Sequence, residues 1–169
     1  PDRSRGPWPM PGEGLSVQRG LDGYWRLRSE IWLPRPQAEV FAFFADAANL
    51  DVLTPPWVNF RILTPLPITM AVGTLIDYEI GLHGVPVRWQ TEITCWNPPH
   101  GFVDDQRRGP YREWHHTHTF ESVDGGVRCR DDVRYRVPGG ALVNRFLVEP
   151  DVRRIFTYRA ARLRDLFRA

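Results

Sequence analysis

Residues 73–140 alternate between apolar and polar side chains, and short turns break the alternation. Successive side chains of a β-strand point to opposite faces, so this pattern is typical of strands with one buried face. The breaks read HG, NPPHG and DGG, which favour tight turns between neighbouring strands. The segment therefore predicts antiparallel strands joined by hairpins, at 73–82, 85–96, 102–109, 110–123 and 127–140.

The segment that follows these strands changes to helical spacing. Apolar residues recur every three or four positions over 148–168, which predicts one long amphipathic helix with Pro150 near its start. Upstream, YWRLRSEIWL (24–33) predicts a first strand, and residues 36–53 predict two short helices. Residues 54–63 predict a loop that leads into a short strand.

These elements predict an α+β fold. Strands joined by hairpins leave one sheet face to be covered, and the long helix is available to cover it. We expect a helix-grip fold, in which a curved antiparallel sheet of six to seven strands wraps around the long C-terminal helix, with two short helices after the first strand. A sheet curled around a helix leaves concave apolar space, where small molecules bind.

The chain length of 169 residues suits one domain. We assign residues 22–169 to this single domain. Residues 1–21 are rich in Pro and Gly and show no period, so they predict an N-terminal arm laid over the domain surface. Trp8 and Met10 are candidates for holding the arm in place.

Composition and charge exclude several classes of partner. All 22 basic residues are arginine, but 20 acidic residues leave a net charge of +2, which argues against a nucleic-acid partner. No apolar run is long enough to span a membrane, and the first residues lack the regions of a signal peptide. Cys95 and Cys129 are expected to be free, reduced core cysteines. We expect a cytoplasmic protein that is a monomer or a homodimer.

A family resemblance appears in WNPPHGFVDDQRRGPYREWHHTHTFESVDGGVRCRDDVRYRVPGG (96–140) and in RRIFTYRAARLRDLF (153–167). These stretches resemble the SRPBCC superfamily, which includes START, Bet v 1-like and polyketide-cyclase/dehydrase proteins, and within it a bacterial branch with the pattern GPY..W.H.H.F. The resemblance covers roughly 23–168, with matching residues at fixed offsets. It implies the helix-grip fold and a hydrophobic cavity between sheet and helix. The superfamily includes lipid carriers, hormone receptors, cyclases, ubiquinone chaperones and oxygenase domains, so it does not identify the ligand.

Three of the five histidines lie in GPYREWHHTHTF (109–120). By strand alternation Trp114, His116, His118 and Phe120 share one face, and the aromatic residues make this the inner face. His115 is then expected to face outward. The sequence thus divides an apparent triple-histidine motif into two inward rings and one outward ring.

Asp131, on the following strand, is expected to point inward among apolar neighbours. A buried carboxylate needs a partner, and His116 or His118 is the nearest candidate, with an inward arginine as another. Three interpretations stay open. The group could bind a metal, with Asp131 as the available third ligand; it could be an acid–base pair; or it could be a polar spot, bonded internally or to a ligand head group. We favour the last, with no metal and no cofactor.

The favoured function is binding or carriage of a small hydrophobic or amphipathic ligand that is lipid-, quinone- or polyketide-like. The alternative is a cyclase/dehydratase-type enzyme that uses His116 or His118 with Asp131. A third class is an interaction module, toxin-like, with a cavity filled by its own side chains. Thr91, Asp104 and Ile155 are further inward positions, and Phe43, Phe44 and Trp57 are candidates for a lid; core packing is the alternative for each. The predicted ligand-binding residues are Trp89, Gln106, Trp114, His116, His118, Phe120, Asp131, Tyr135 and Phe156.

Overall fold

The computed structural model describes residues 14–168 of the chain. Its strands are β1 (Leu15–Arg19), β2 (Trp25–Leu33), β3 (Arg61–Ile62), β4 (Leu75–Leu82), β5 (Val85–Asn97), β6 (Gly101–Arg108), β7 (Glu113–Val123) and β8 (Gly126–Arg136). They form one antiparallel sheet in the order β1-β2-β8-β7-β6-β5-β4-β3. Because β8 pairs with β2, the hairpin-linked strands β4 to β8 and the first long strand belong to the same continuous sheet.

The helices lie between β2 and β3 and after β8. The first group comprises α1 (Gln37–Ala45) and α2 (Leu50–Leu53), with 3-10 turns at Ala47–Asn49 and Pro56–Val58. After β8, α3 (Gly140–Val143) continues through a π-helical turn (Asn144–Val148) into α4 (Glu149–Leu166). Within the described residues, no helix is long and apolar enough to cross a membrane.

Helix α4 covers the concave face of the sheet. Its buried residues Val152, Phe156 and Leu163 recur at helical spacing, so they lie on one side of the helix. Pro150 lies in the first turn of α4, directly after the π-helical turn that joins α3 to α4, where the helical hydrogen-bond pattern changes. Burying one such side chain contributes about 1.5–3 kcal/mol, so these contacts fix the helix against the sheet.

Two apolar clusters bracket the space beneath α4. One gathers Phe41 of α1 with Phe120 and Leu163. The other contains Trp25 and Tyr135 of the sheet and Val152 and Phe156 of α4. The sheet and helix are therefore packed at two ends, and the residues between the clusters surround the cavity described below.

The predicted helix-grip fold is confirmed, including the long C-terminal helix and the two short helices after the first long strand. The sheet has one strand more than predicted, because Leu15–Arg19 pairs with Trp25–Ser29 as β1. Leu15–Arg19, within the segment predicted to be an N-terminal arm, is thus an edge strand of the sheet. The division of the chain at residue 21 stays a prediction, and Trp8 and Met10 lie outside the described residues.

The placement of Cys95 differs from the sequence prediction. Alternation along β5 put it on the inner face, but the pairing of β5 with β6 has a register irregularity between Ile93 and Cys95. Such a bulge inserts one residue and reverses the faces that follow it. Cys95 is therefore exposed, whereas Trp96 packs against Phe41, with ring centroids 5.3 Å apart. Cys129 is free and buried, as predicted.

Candidate functional site

A cavity of about 380 Å³ lies between the concave face of the sheet and α4. Side chains from α1, α2, β4 to β7 and α4 line it, so the elements that define the fold also define the cavity. Its walls are mostly apolar and aromatic, and they include Phe44, Leu53, Ile76, Tyr78, Ile80, Trp89, Ile93, Phe102, Trp114, Val152, Ile155 and Phe156.

Four side chains on the strands form one polar group, which we call the His–Asp cluster: the buried His116, His118 and Asp131 and the partly buried Asp104. Oδ1 of Asp131 lies 2.9 Å from Nε2 of His116 and 3.0 Å from Nδ1 of His118. Oδ1 of Asp104 lies 3.0 Å from Nε2 of His118 and 3.6 Å from Nδ1 of His116. The ring centroids of the two histidines are 3.7 Å apart, so the rings lie between two carboxylates.

Strand register brings the cluster together. His118 pairs directly with Asp131 of β8, and His116 pairs with Asp104 of β6. Residues directly opposite on neighbouring antiparallel strands point to the same face and lie about 5 Å apart at Cβ. Three adjacent strands therefore each contribute inward polar side chains at the same level of the sheet.

Apolar neighbours hold the two rings in place. The ring of Phe102 stacks on His118 at a centroid separation of 4.2 Å. The ring of Phe156, from α4, lies 5.7 Å from that of His116. Thr91 donates a long hydrogen bond from Oγ1 to Oδ2 of Asp104, at 3.4 Å. These contacts restrict the rotamers of the cluster.

Arg159 of α4 joins the cluster from the opposite side. Its Nη2 lies 3.5 Å from Oδ1 of Asp131 and 3.4 Å from Nδ1 of His118. Its guanidinium lies 5.1 Å from the centre of the Phe44 ring, within the range of a cation–π contact. The sequence predicted an inward arginine without locating it. The signal was available, because Arg159 follows Phe156 by three residues and such residues share a helix face.

The environment shifts the pKa of each cluster residue. Burial raises the pKa of a carboxyl group, but Arg159 and the two histidines outweigh it and hold the pKa of Asp131 well below its ordinary value. Against the same effect of burial, the histidines and Arg159 lower the pKa of Asp104. Burial, together with the neighbouring His118, lowers the pKa of His116. Burial also opposes charge on His118, but its hydrogen bonds to both carboxylates raise its pKa.

The structure separates the predicted ligand-binding residues into two groups. The residues that line the cavity are Trp89, Trp114, His116, His118 and Phe156. Asp131 lies behind the histidines and contacts them rather than lining the cavity.

Three other predicted residues, all beside the cavity, are engaged elsewhere. Gln106 donates to the carbonyl of Tyr111 at 2.7 Å and belongs to the β6–β7 turn. Phe120 packs against Phe41 and Phe44, and Tyr135 packs against Trp25 and Trp114. Alternation predicts the face of a strand residue, but not whether its side chain lines the cavity or is engaged with its neighbours.

The remaining candidates divide in the same way. Phe43, Phe44, Thr91, Asp104 and Ile155 line the cavity. Trp57 does not belong to the lining; it is about half exposed and packs against Tyr158, with centroids 5.6 Å apart. His115 faces outward as predicted and meets Oδ1 of Asp105 at 2.7 Å.

The cluster can perform two kinds of chemistry. A histidine beside a carboxylate can accept or donate a proton at the cavity wall. Alternatively, Asp104, His116 and His118 can act as metal ligands, since their ligand atoms lie within 4.8 Å of one another. The sequence named only Asp131 as a third ligand, whereas β6 supplies Asp104 as a second carboxylate beside both histidines, from the other side of β7.

Comparison with known families gives a match over most of the chain. Residues 33–164 match the family described as polyketide cyclase/dehydrase and lipid transport. Among curated proteins, none matches the chain significantly.

Solved structures share the fold at low sequence identity. Protein Ms6760 from Mycobacterium smegmatis is 19% identical, with a TM-score of 0.65 over 90% of this chain and 96% of that one. Ara h 8.0201 is 17% identical, with a TM-score of 0.58 over 85% and 99%. The major latex-like protein 151 from Panax ginseng is 8% identical, with a TM-score of 0.64 over 87% and 99%. These similarities show that the chain has the same fold as the three proteins.

Proposed function

Because the chain belongs to the polyketide cyclase/dehydrase and lipid transport family, within the SRPBCC superfamily, we propose that it binds and carries a small hydrophobic or amphipathic molecule in the cavity beneath α4. The observation that supports this proposal is the composition of the cavity, whose apolar walls enclose one polar cluster. Small-molecule sites of a few hundred Å³ usually combine apolar walls with a few polar groups that orient the ligand.

The lining indicates the shape of a suitable ligand. Apolar and aromatic side chains from β4, β5 and α4 suit an alkyl chain or a flat ring system, whereas His116, His118 and Arg159 suit an oxygen-bearing end. Trp89 is a candidate for a second polar contact: it lines the cavity, and its indole N–H is buried without a hydrogen-bond partner among the described residues, so a small movement of the ring would present this donor to a ligand. A ligand oxygen near Trp89 would satisfy this donor. We therefore propose a lipid, a quinone or a polyketide-like compound rather than a pure hydrocarbon.

Location and assembly belong to the same proposal. We place the carrier in the cytoplasm as a monomer or homodimer, without a nucleic-acid partner. The two free cysteines, Cys95 and Cys129, support a reducing compartment, since disulfides are rare there.

Native mass spectrometry of the purified protein, followed by thermal unfolding with oleic acid, a short-chain quinone and an aromatic polyketide, tests the proposal. Ligand at 100 times its dissociation constant stabilises by about 2.7 kcal/mol, which raises Tm by roughly 5–10 °C for a chain of this size. Ile155→Trp fills the cavity and should abolish the shift, whereas Thr157→Trp, on the exposed side of α4, should retain it. No co-purified molecule and no shift with any compound would refute carriage.

One observation favours an enzyme as the second candidate. His116 lines the cavity, and its Nε2 lies 2.9 Å from Oδ1 of Asp131, the arrangement in which a carboxylate orients a histidine for proton transfer. A cyclase or dehydratase reaction would use this ring, or that of His118, on a bound polyketide-like substrate. His116→Ala would then abolish turnover while leaving binding of an unreactive analogue within about tenfold, because the apolar walls supply most of the affinity. Carriage alone predicts no turnover in either the wild-type protein or the His116→Ala variant.

A further inference from the structure

We propose that Asp104, His116 and His118 bind a divalent transition-metal ion on the cavity wall, with Asp131 orienting both imidazole rings. This inference goes beyond carriage, because metal binding can be measured without any cavity ligand. Two imidazole nitrogens and one carboxylate oxygen form a ligand set suited to Zn²⁺ or Fe²⁺.

The separations of the ligand atoms suit a metal ion. Oδ1 of Asp104 lies 3.0 Å from Nε2 of His118 and 3.6 Å from Nδ1 of His116. Metal–ligand distances of about 2.0–2.2 Å, at tetrahedral or octahedral angles, place neighbouring ligand atoms roughly 3.0–3.5 Å apart. All three ligand atoms lie within 4.8 Å of one another, so small side-chain movements would bring them around one ion.

The remaining ring nitrogens have the partner that metal-bound histidines need. Nε2 of His116 and Nδ1 of His118 both meet Oδ1 of Asp131, at 2.9 and 3.0 Å. A neutral imidazole carries one N–H, and donating it to Asp131 leaves a lone pair on Nδ1 of His116; in His118 the metal would replace the hydrogen bond between Nε2 and Asp104, with release of that proton. Second carboxylates of this kind fix the tautomer of metal-ligating histidines and strengthen their bond to the metal.

One contact in the cluster is better explained by a cation than by a hydrogen bond. Nδ1 of His116 lies 3.6 Å from Oδ1 of Asp104, longer than a hydrogen bond, although both side chains are held in place by neighbours. With the proton of His116 on Nε2, a lone pair on Nδ1 faces a carboxylate oxygen. A metal ion between them would convert this repulsive contact into two attractive ones.

The charges around the cluster permit a dication. Asp104 and Asp131 carry two negative charges, and Arg159 carries one positive charge beside Asp131. Arg159 approaches Nδ1 of His118, the nitrogen opposite the one that would bind the metal. Three protein ligands leave at least one coordination position for water or for an oxygen of a cavity ligand, since all three ligand residues line the cavity.

The test is metal titration of chelator-treated protein. Zn²⁺ binding by calorimetry and Co²⁺ absorption should show one site, and His115→Ala, an exposed neighbour paired with Asp105, should bind equally well. Asp104→Asn, a near-isosteric change, and His116→Ala should lose at least 100-fold in affinity, and Asp131→Asn should lose 10–100-fold.

Two outcomes would overturn the proposal. One is wild-type protein that binds neither ion under these conditions, a result that does not depend on whether any variant folds. The other is Asp104→Asn protein, folded by circular dichroism, that binds Zn²⁺ as tightly as wild type. A negative result with metal leaves the carriage experiment above unaffected, because that experiment measures binding of organic ligands and not of metal ions.

Discussion

Replacing Asp131 by alanine should destabilise the protein by about 3 kcal/mol, because removing one partner of a buried charge cluster leaves the others unpaired. Asp131 contacts both histidines and Arg159, and the side chains of Asp131 and Arg159 are 10% and 13% exposed, so water replaces little of what is lost. For a chain of this length the loss corresponds to a fall in Tm of roughly 6–12 °C. Urea unfolding at neutral pH with a chelator present measures this change without a contribution from metal.

Glu121→Ala is the matched control on the same strand pair. Glu121 contacts Arg128 and Arg130 on the outer face, where its side chain is 54% exposed, so its loss should cost under about 1 kcal/mol. A double substitution identifies the origin of the Asp131 effect, by repeating Asp131→Ala in an Arg159→Met background. The guanidinium that Asp131→Ala would leave unpaired is then absent, so Asp131→Ala should reduce the free energy of unfolding by less than it does in wild type. Equal losses for Asp131→Ala and Glu121→Ala would refute the claim that buried charges stabilise this cluster.

Three further predictions concern other parts of the molecule. At pH 8 a thiol reagent should label Cys95 rapidly and Cys129 only after unfolding, because burial and then Asp131 raise the pKa of Cys129 to about 12; two rapid labels in native protein would contradict this. Gly101→Ala should destabilise by about 1–3 kcal/mol in urea unfolding, because a Cβ there would meet the carbonyl oxygen of His118; an unchanged midpoint would contradict the β6–β7 packing. Trp89→Phe should weaken binding of an oleic-acid-type ligand several-fold in a fluorescence titration, and equal affinity would show that the indole N–H does not contact the ligand.

The sequence predicts the fold well because its signals are local. Alternation over β4 to β8 and the helical spacing of α4 each arise within one element, and together they leave one sheet face for one helix to cover. The inward positions of His116 and His118 follow from the same alternation and are confirmed by their burial. Cys95 marks the limit of this reasoning, since the irregularity beside it belongs to the pairing of β5 with β6 and not to β5 alone.

The site depends on pairings between elements, which explains what the sequence left open. Asp104 joins His116 because β6 lies beside β7 in one particular register. Arg159 reaches Asp131 because α4 crosses the sheet at that level. Gln106 shares the inner side with Asp104, but its side chain is bonded to the backbone of Tyr111 in the β6–β7 turn. Residue type and face were readable from the sequence, whereas distance along the strand and contacts with the helix were not.

The energetics of the cluster indicate that it serves the cavity rather than the fold. Breaking a buried charge cluster is costly, yet replacing all of it with apolar residues is often neutral or stabilising. The surrounding walls are already apolar, and Phe102 and Phe156 pack directly against the histidine rings. A sheet and helix packed at both ends by the Phe41 and Trp25 clusters do not require charges between them. The position of two histidines, two aspartates and an arginine here therefore supports our proposal that the cavity binds a ligand with a polar end.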